Sequence, residues 1–123
     1  MLGHWLLALV VPAQCTADCL AQLHLARQVQ VSLNKDMARL RRALIGPQLG
    51  DPARLAELQR RWPDLLIAQP TAAGWQPLGA GANAPQLVLI DPQGVLVLRY
   101  PPSPDARGLR RDVERLLKYS WLG

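Results

Sequence analysis

Short apolar runs alternate along this chain with longer segments whose apolar residues recur at helical spacing. Trp5-Leu6-Leu7-Ala8-Leu9-Val10-Val11 is apolar throughout and ends at Pro12. Seven residues are too few for a typical helix, so the run reads as a strand buried on both faces. A cleavable signal peptide is the rival reading, but no Lys or Arg precedes the run to form its charged start. Leu20, Leu23, Ala26, Val29 or Gln30, and Leu33 then mark one face of a helix expected over residues 17–34. Thr16 is placed to cap it, and Asp18 puts an acid in its first turn. Residues 35–40 link it to a second strand at 41–46, punctuated by Gly46-Pro47. Asp51-Pro52 combines a cap with a first-position proline and opens a second helix. Leu55 and Leu58 form its inner face, and Trp62-Pro63 ends it. A third, shorter strand follows at 65–68.

Residues 69–84 are rich in Gly, Pro, Ala and Thr, with one large apolar anchor at Trp75. A loop of that length is long for a compact domain and marks a functional or mobile segment. Residues 85–90 and 95–100 read as the two strands of a hairpin around the turn Asp91-Pro92-Gln93-Gly94. Ser103-Pro104 repeats the cap-and-proline device, and Leu109, Val113, Leu116, Leu117 and Trp121 give the last helix its inner face. Strands alternating with helices imply a parallel sheet with right-handed crossovers, and the hairpin adds antiparallel strands on one side.

The candidate chemistry sits where the first strand gives way to the first helix. Cys15 and Cys19 both fall there, at the carboxyl end of a central strand, where α/β sheets place their sites. A helix N-terminus carries about half a positive charge, which stabilises a thiolate and makes a thiol more nucleophilic. Cys15 precedes the helix and is expected to be the more exposed, while Cys19 lies about one turn in and is expected to be shielded. That asymmetry suits an attacking and a resolving thiol. Asp18 opposes it, because a nearby acid disfavours a thiolate. Sulfurs at i and i+4 can close a disulfide or bind one soft metal ion. Two small buried residues, or a structural disulfide, are the plainer readings of the same pair.

Composition narrows the alternatives. The chain has 123 residues, half of them apolar, and two cysteines, which suits one folded domain and excludes a multi-disulfide miniprotein or a four-cysteine zinc site. The longest apolar run is far shorter than the ~20 residues needed to cross a bilayer. Net charge is +5, from 14 Lys+Arg against 9 Asp+Glu. All the cations but Lys35 and Lys118 are Arg, scattered over separate segments such as Arg41-Arg42, Arg60-Arg61 and Arg110-Arg111. That is the pattern of a solvated surface, not of a nucleic-acid stripe with interleaved aromatics. Asp51, Asp64, Asp91 and Asp105 all fit caps or turns, so no acid pair invites general acid–base catalysis.

Strand, then Pro12-x-x-Cys15-x-x-x-Cys19 opening a helix, then Asp91-Pro92-Gln93-Gly94 within a hairpin, then a final helix: this order resembles the thioredoxin superfamily. The CxxxC spacing is similar to its Sco/SenC branch, copper chaperones that help assemble cytochrome c oxidase. The resemblance covers nearly the whole chain in element order. It implies an α/β thioredoxin-like fold over residues 1–123: a central mixed sheet, flanking helices and a C-terminal hairpin plus helix. It also implies that this is the soluble portion of a longer protein, tethered to the inner membrane and facing the periplasm. Two departures matter. Sco proteins add a histidine ligand from the loop before the hairpin, whereas residues 79–84 contain none and the chain has only His4 and His24. His24 falls off the cysteine face of the helix and reads as a surface or packing residue. Pro85, by contrast, stands where thioredoxin-like oxidoreductases carry a cis-proline beside the active cysteines. The alternative for Pro85 is a trans proline that merely starts a strand.

Three functions follow as expectations. The first is thiol–disulfide exchange on an envelope protein, an oxidase subunit or its assembly factor, with Cys15 attacking, Cys19 resolving and Pro85 shaping the contact. The second is a copper chaperone holding Cu(I) through Cys15 and Cys19. The third is an interaction domain with a static disulfide.

Overall fold

The computed structural model describes residues 4–11, 17–46, 49–69, 85–100 and 105–118. The elements are β1 (Trp5–Val10), α1 (Ala17–Ser32), a 3₁₀ helix (Asn34–Arg39), β2 (Leu40–Ile45), α2 (Pro52–Arg61), β3 (Leu66–Ala68), β4 (Gln86–Ile90), β5 (Leu96–Arg99) and α3 (Ala106–Lys118). The strands form one mixed sheet in the order β3-β2-β1-β4-β5. β2 runs parallel to both β1 and β3, while β4 is antiparallel to β1 and β5.

The fully apolar β1 takes the centre because side chains on both its faces must leave water. Trp5, Leu7, Leu9 and Val11 point into one cluster, together with Leu40 and Leu44 of β2 and Leu87 and Leu89 of β4. All three described α-helices contribute to that cluster, through Leu23 and Ala26 of α1, Leu55 and Leu58 of α2, and Leu109, Val113 and Leu117 of α3. Leu6, Ala8 and Val10 face the opposite way and pack with Ala43, Ile45, Val88 and Ile90. This alternation is the period-two geometry of a strand, repeated in register across three neighbours.

The ends of the elements follow local chemistry. Asp51 caps α2 by accepting from the Arg54 amide at 2.8 Å, with Pro52 in the first helical position, as expected. The hairpin turn is held by Asp91, whose carboxylate accepts from the Gln93 and Val95 amides at 2.9 Å each. Gly94 takes φ 90° there, which an L side chain rarely adopts. The largest differences from the sequence reading fall at two helix ends. α1 stops at Ser32, and Asn34 adopts φ 53° before a 3₁₀ helix that fills the expected linker. Asparagine tolerates this left-handed conformation and so turns the chain out of the helix. The α3 helix begins at Ala106, with the Asp105 carboxylate accepting from the Gly108 amide at 3.1 Å; Ser103 and Pro104 lie outside the described residues. The long 69–84 segment and its Trp75 anchor also lie outside them, apart from Gln69.

Candidate functional site

The register of the sheet brings the end of β1 and the start of β4 to one rim. β1 and β2 run parallel, so their carboxyl ends, Val10 and Ile45, lie side by side. β4 runs the other way and starts opposite them, with Gln86 paired to Val10. Pro85, the residue before Gln86, therefore belongs to the same rim as the chain leaving β1 toward α1. The Val11 amide extends the pairing by donating to the Ile45 carbonyl at 2.8 Å. Gly46 follows directly, and a Cβ there would overlap the Val11 carbonyl oxygen and crowd Leu49.

Cys19 occupies the first turn of α1, is 0% exposed and is disulfide-bonded. Its shielded position agrees with the sequence expectation for the second cysteine. Cys15 lies outside the described residues. Asp18 is exposed beside Cys19 in the same turn. Pro85 is half-buried, and its carbonyl oxygen accepts a 2.9 Å hydrogen bond from Gln22 Nε2. Among the described residues no peptide bond is cis; the bond joining Ala84 to Pro85 includes a residue outside them.

Gln22 was not singled out by the sequence reading. It is buried on the same face of α1 as Cys19, Leu23, Ala26, Val29 and Gln30. Only its spacing, three residues after Cys19, signals this from the sequence, since a glutamine is more often exposed. Its Oε1 is buried without a hydrogen-bond partner among the described residues.

A second polar cluster corrects the reading of the arginines as a solvated surface. Arg42, in the middle of β2, is 1% exposed. Its Nε donates to Gln30 Oε1 at 2.7 Å and its Nη2 to Asp64 Oδ1 at 2.9 Å. The guanidinium also lies 5.6 Å from the Trp62 ring centroid. Gln30 Nε2 donates onward to the Leu40 carbonyl, and Arg27 approaches Asp64 Oδ2 at 3.6 Å. Burial lowers the Arg42 pKa, opposed by the Asp64 charge. Burial would raise Asp64, but the charges and hydrogen bond of Arg42, joined by Arg27, hold its carboxyl below its ordinary value. Asp64 thus does more than fill a turn. A cavity of about 340 Å³ lies beside Gln30, Leu40, Arg41 and Asp64, next to this cluster and not at the cysteine rim.

His24 is exposed on α1, packs edge-on against Trp62 at 5.1 Å and has its Nε2 3.3 Å from Arg61 Nη2. This is the packing role expected for it. Among the described residues no three His, Cys, Asp or Glu side chains come together as a metal site. None of the described helices is long and apolar enough to cross a membrane.

No curated protein matches the sequence. Several solved structures share the fold. Copper-bound ScoI of Arabidopsis thaliana superposes with a TM-score of 0.73 at 12% identity, over 97% of this chain and 87% of that one. Copper-bound yeast Sco1 gives 0.70 at 17% identity, over 97% and 78%. BsSco, a member of the Sco family of cytochrome c oxidase assembly proteins in which a disulfide switch was identified, gives 0.65 at 13% identity, over 97% and 83%. At these identities the likeness establishes the thioredoxin-like fold that the sequence order implied. The model of the transmembrane-like, thioredoxin-like C-terminal domain matches residues 5–120, and the chain belongs to that family.

Proposed function

We propose that this domain carries out thiol–disulfide exchange with a partner protein through Cys15 and Cys19. The observation that carries the reading is the disulfide-bonded state of Cys19 in the first turn of the helix that follows the central strand. The sequence holds two cysteines, and this reading takes Cys15 as the partner of Cys19. In the reducing direction the Cys15 thiolate attacks one sulfur of a partner disulfide, and the other partner sulfur leaves as a thiolate. The Cys19 thiolate then attacks the Cys15 sulfur of the mixed disulfide and releases the second partner thiolate. The Cys15–Cys19 bond has formed, the partner disulfide has been reduced, and the same steps reversed oxidise a partner dithiol. The positive end of α1 favours the thiolate form, and Pro85 shapes the surface on which the partner's backbone settles.

The family description and the Sco relatives in fold support an extracytoplasmic place for this chemistry. We assign it to the periplasm, with the full-length protein tethered to the inner membrane by a segment outside this chain. An oxidase subunit or its assembly factor is then the partner. Redox titration against dithiol buffers tests the reading. A reduction potential between about −120 and −270 mV, with disulfide reductase activity lost in Cys15→Ser, is the expected result. A potential well below about −300 mV identifies a static bridge and sinks the proposal.

Cu(I) delivery by the same two sulfurs is the second reading, favoured by the copper-bound relatives in fold. Two thiolates suit a soft ion. Among the described residues no three His, Cys, Asp or Glu side chains come together, and His24 is engaged with Trp62 and Arg61. Binding of one Cu(I) per reduced chain, lost in Cys15→Ser, is the result that selects this reading.

A further inference from the structure

The buried amide of Gln22 is only half satisfied. Its Nε2 donates to the Pro85 carbonyl at 2.9 Å, while its Oε1 has no partner among the described residues. An amide oxygen set against that carbonyl would be repelled, so the bond to Pro85 fixes which end of the amide is the nitrogen. Among the described residues Oε1 is therefore an unmet acceptor, on a side chain that is 5% exposed. Such a group carries a desolvation penalty until a donor reaches it.

Cys19 stands three residues earlier on the same buried face of α1. Residues at i and i+3 of a helix are lateral neighbours, with Cβ atoms about 5–6 Å apart. In the disulfide, the Cys19 sulfur bears no proton and offers nothing to Oε1. Reduction changes this. A thiol shielded from water stays protonated, and its S–H is a donor.

We infer that Gln22 is a positioning residue of the redox centre, its Oε1 accepting a hydrogen bond from the Cys19 S–H in the reduced form while its Nε2 stays on the Pro85 carbonyl. The inference rests on the exchange reading above. A partner dithiol supplies two electrons and two protons as its own S–S bond forms. The Cys15–Cys19 bond breaks, each sulfur takes one proton, and the proton on Cys19 enters the bond to Gln22. The orphan acceptor penalises the oxidised form, and the new bond stabilises the reduced one. Gln22 thus makes the pair a stronger oxidant.

The test uses Gln22→Met, which keeps the length of the side chain and removes the acceptor. Its equilibrium with dithiothreitol is expected to shift about tenfold toward the disulfide, equivalent to about 30 mV in the reducing direction. Thermal unfolding is expected to weaken the reduced form more than the oxidised form. An equilibrium constant within about twofold of wild type, with both forms weakened equally, overturns the inference and leaves the exchange reading standing. A second measurement keeps the inference testable if that variant does not fold. In Cys15→Ser only the Cys19 thiol remains, and its S–H stretching band is expected at the lowered frequency of a hydrogen-bonded thiol. A band at the frequency of a free thiol overturns the inference. A wild-type pair that cannot be reversibly reduced overturns the exchange reading, and the redox role of Gln22 with it.

Discussion

Arg42 Nη2 lies 2.9 Å from Asp64 Oδ1, joining the middle of β2 to the turn before β3 across 22 residues of sequence. The two ends of this pair differ in environment. The Arg42 side chain is 1% exposed and that of Asp64 is 37% exposed. A buried guanidinium depends on its partner far more than a half-solvated carboxylate does.

Asp64→Ala is therefore expected to destabilise the domain, because it leaves Arg42 charged and short of an acceptor. Losing one partner of a fully buried pair costs about 3–5 kcal/mol, and solvent access to Asp64 brings the effect below that range. Arg42→Met in the Asp64→Ala background is expected to recover part of the loss, since an apolar chain of similar length removes the unmet charge. Urea midpoints of the single and double variants check this. A double variant less stable than Asp64→Ala would refute the account.

The same pair predicts an acid limb. The folded pKa of Asp64 is lowered, so its contribution is fully present at neutral pH and above the unfolded value of about 3.9. It declines as pH falls below that value and is gone once pH passes below the folded pKa. Stability measured between pH 6 and pH 2 is expected to fall less steeply in Asp64→Asn than in the parent.

Gly46→Ala is expected to cost about 1–3 kcal/mol, in the range of overpacked sites. The added methyl would meet the Val11 carbonyl, a backbone atom that cannot rotate away, and Leu49 Cδ2 at 2.7 Å. Val11 is the last described residue before the cysteine segment, so this variant is also expected to alter the redox equilibrium. A denaturant midpoint equal to that of the parent would contradict the predicted overlap.

Reduction of the Cys15–Cys19 pair is expected to lower stability by about 2 kcal/mol or less, because the loop it closes is short and the entropy of loop closure grows with loop length. Melting with and without a reductant measures this. Cys19→Ala, with no bridge to break, is expected to melt at the same temperature in both.

The strands, their order along the chain and the hairpin were legible because their signals are local. An unbroken apolar run such as β1, the Asp51-Pro52 cap and the Asp91–Gly94 turn each act within a few residues. The shielding of Cys19 followed from its place one turn into a helix. The end of α1 at Ser32 and the cap at Asp105 each lie two residues from where the sequence places them, since neighbouring polar residues compete for such ends.

What the sequence determined by itself was which segments are strands and which are helices, and that both cysteines fall in the stretch of sequence where the first strand gives way to a helix. Those features arise from backbone preferences and from short-range periodicity. Only the tertiary structure decided that Arg42 is buried, that Gln22 reaches Pro85 across 63 residues, and that one half of that amide is left without a donor. A polar side chain is buried or solvated according to the partners that distant segments bring to it, and pairing across the sheet, not spacing along the chain, sets those partners.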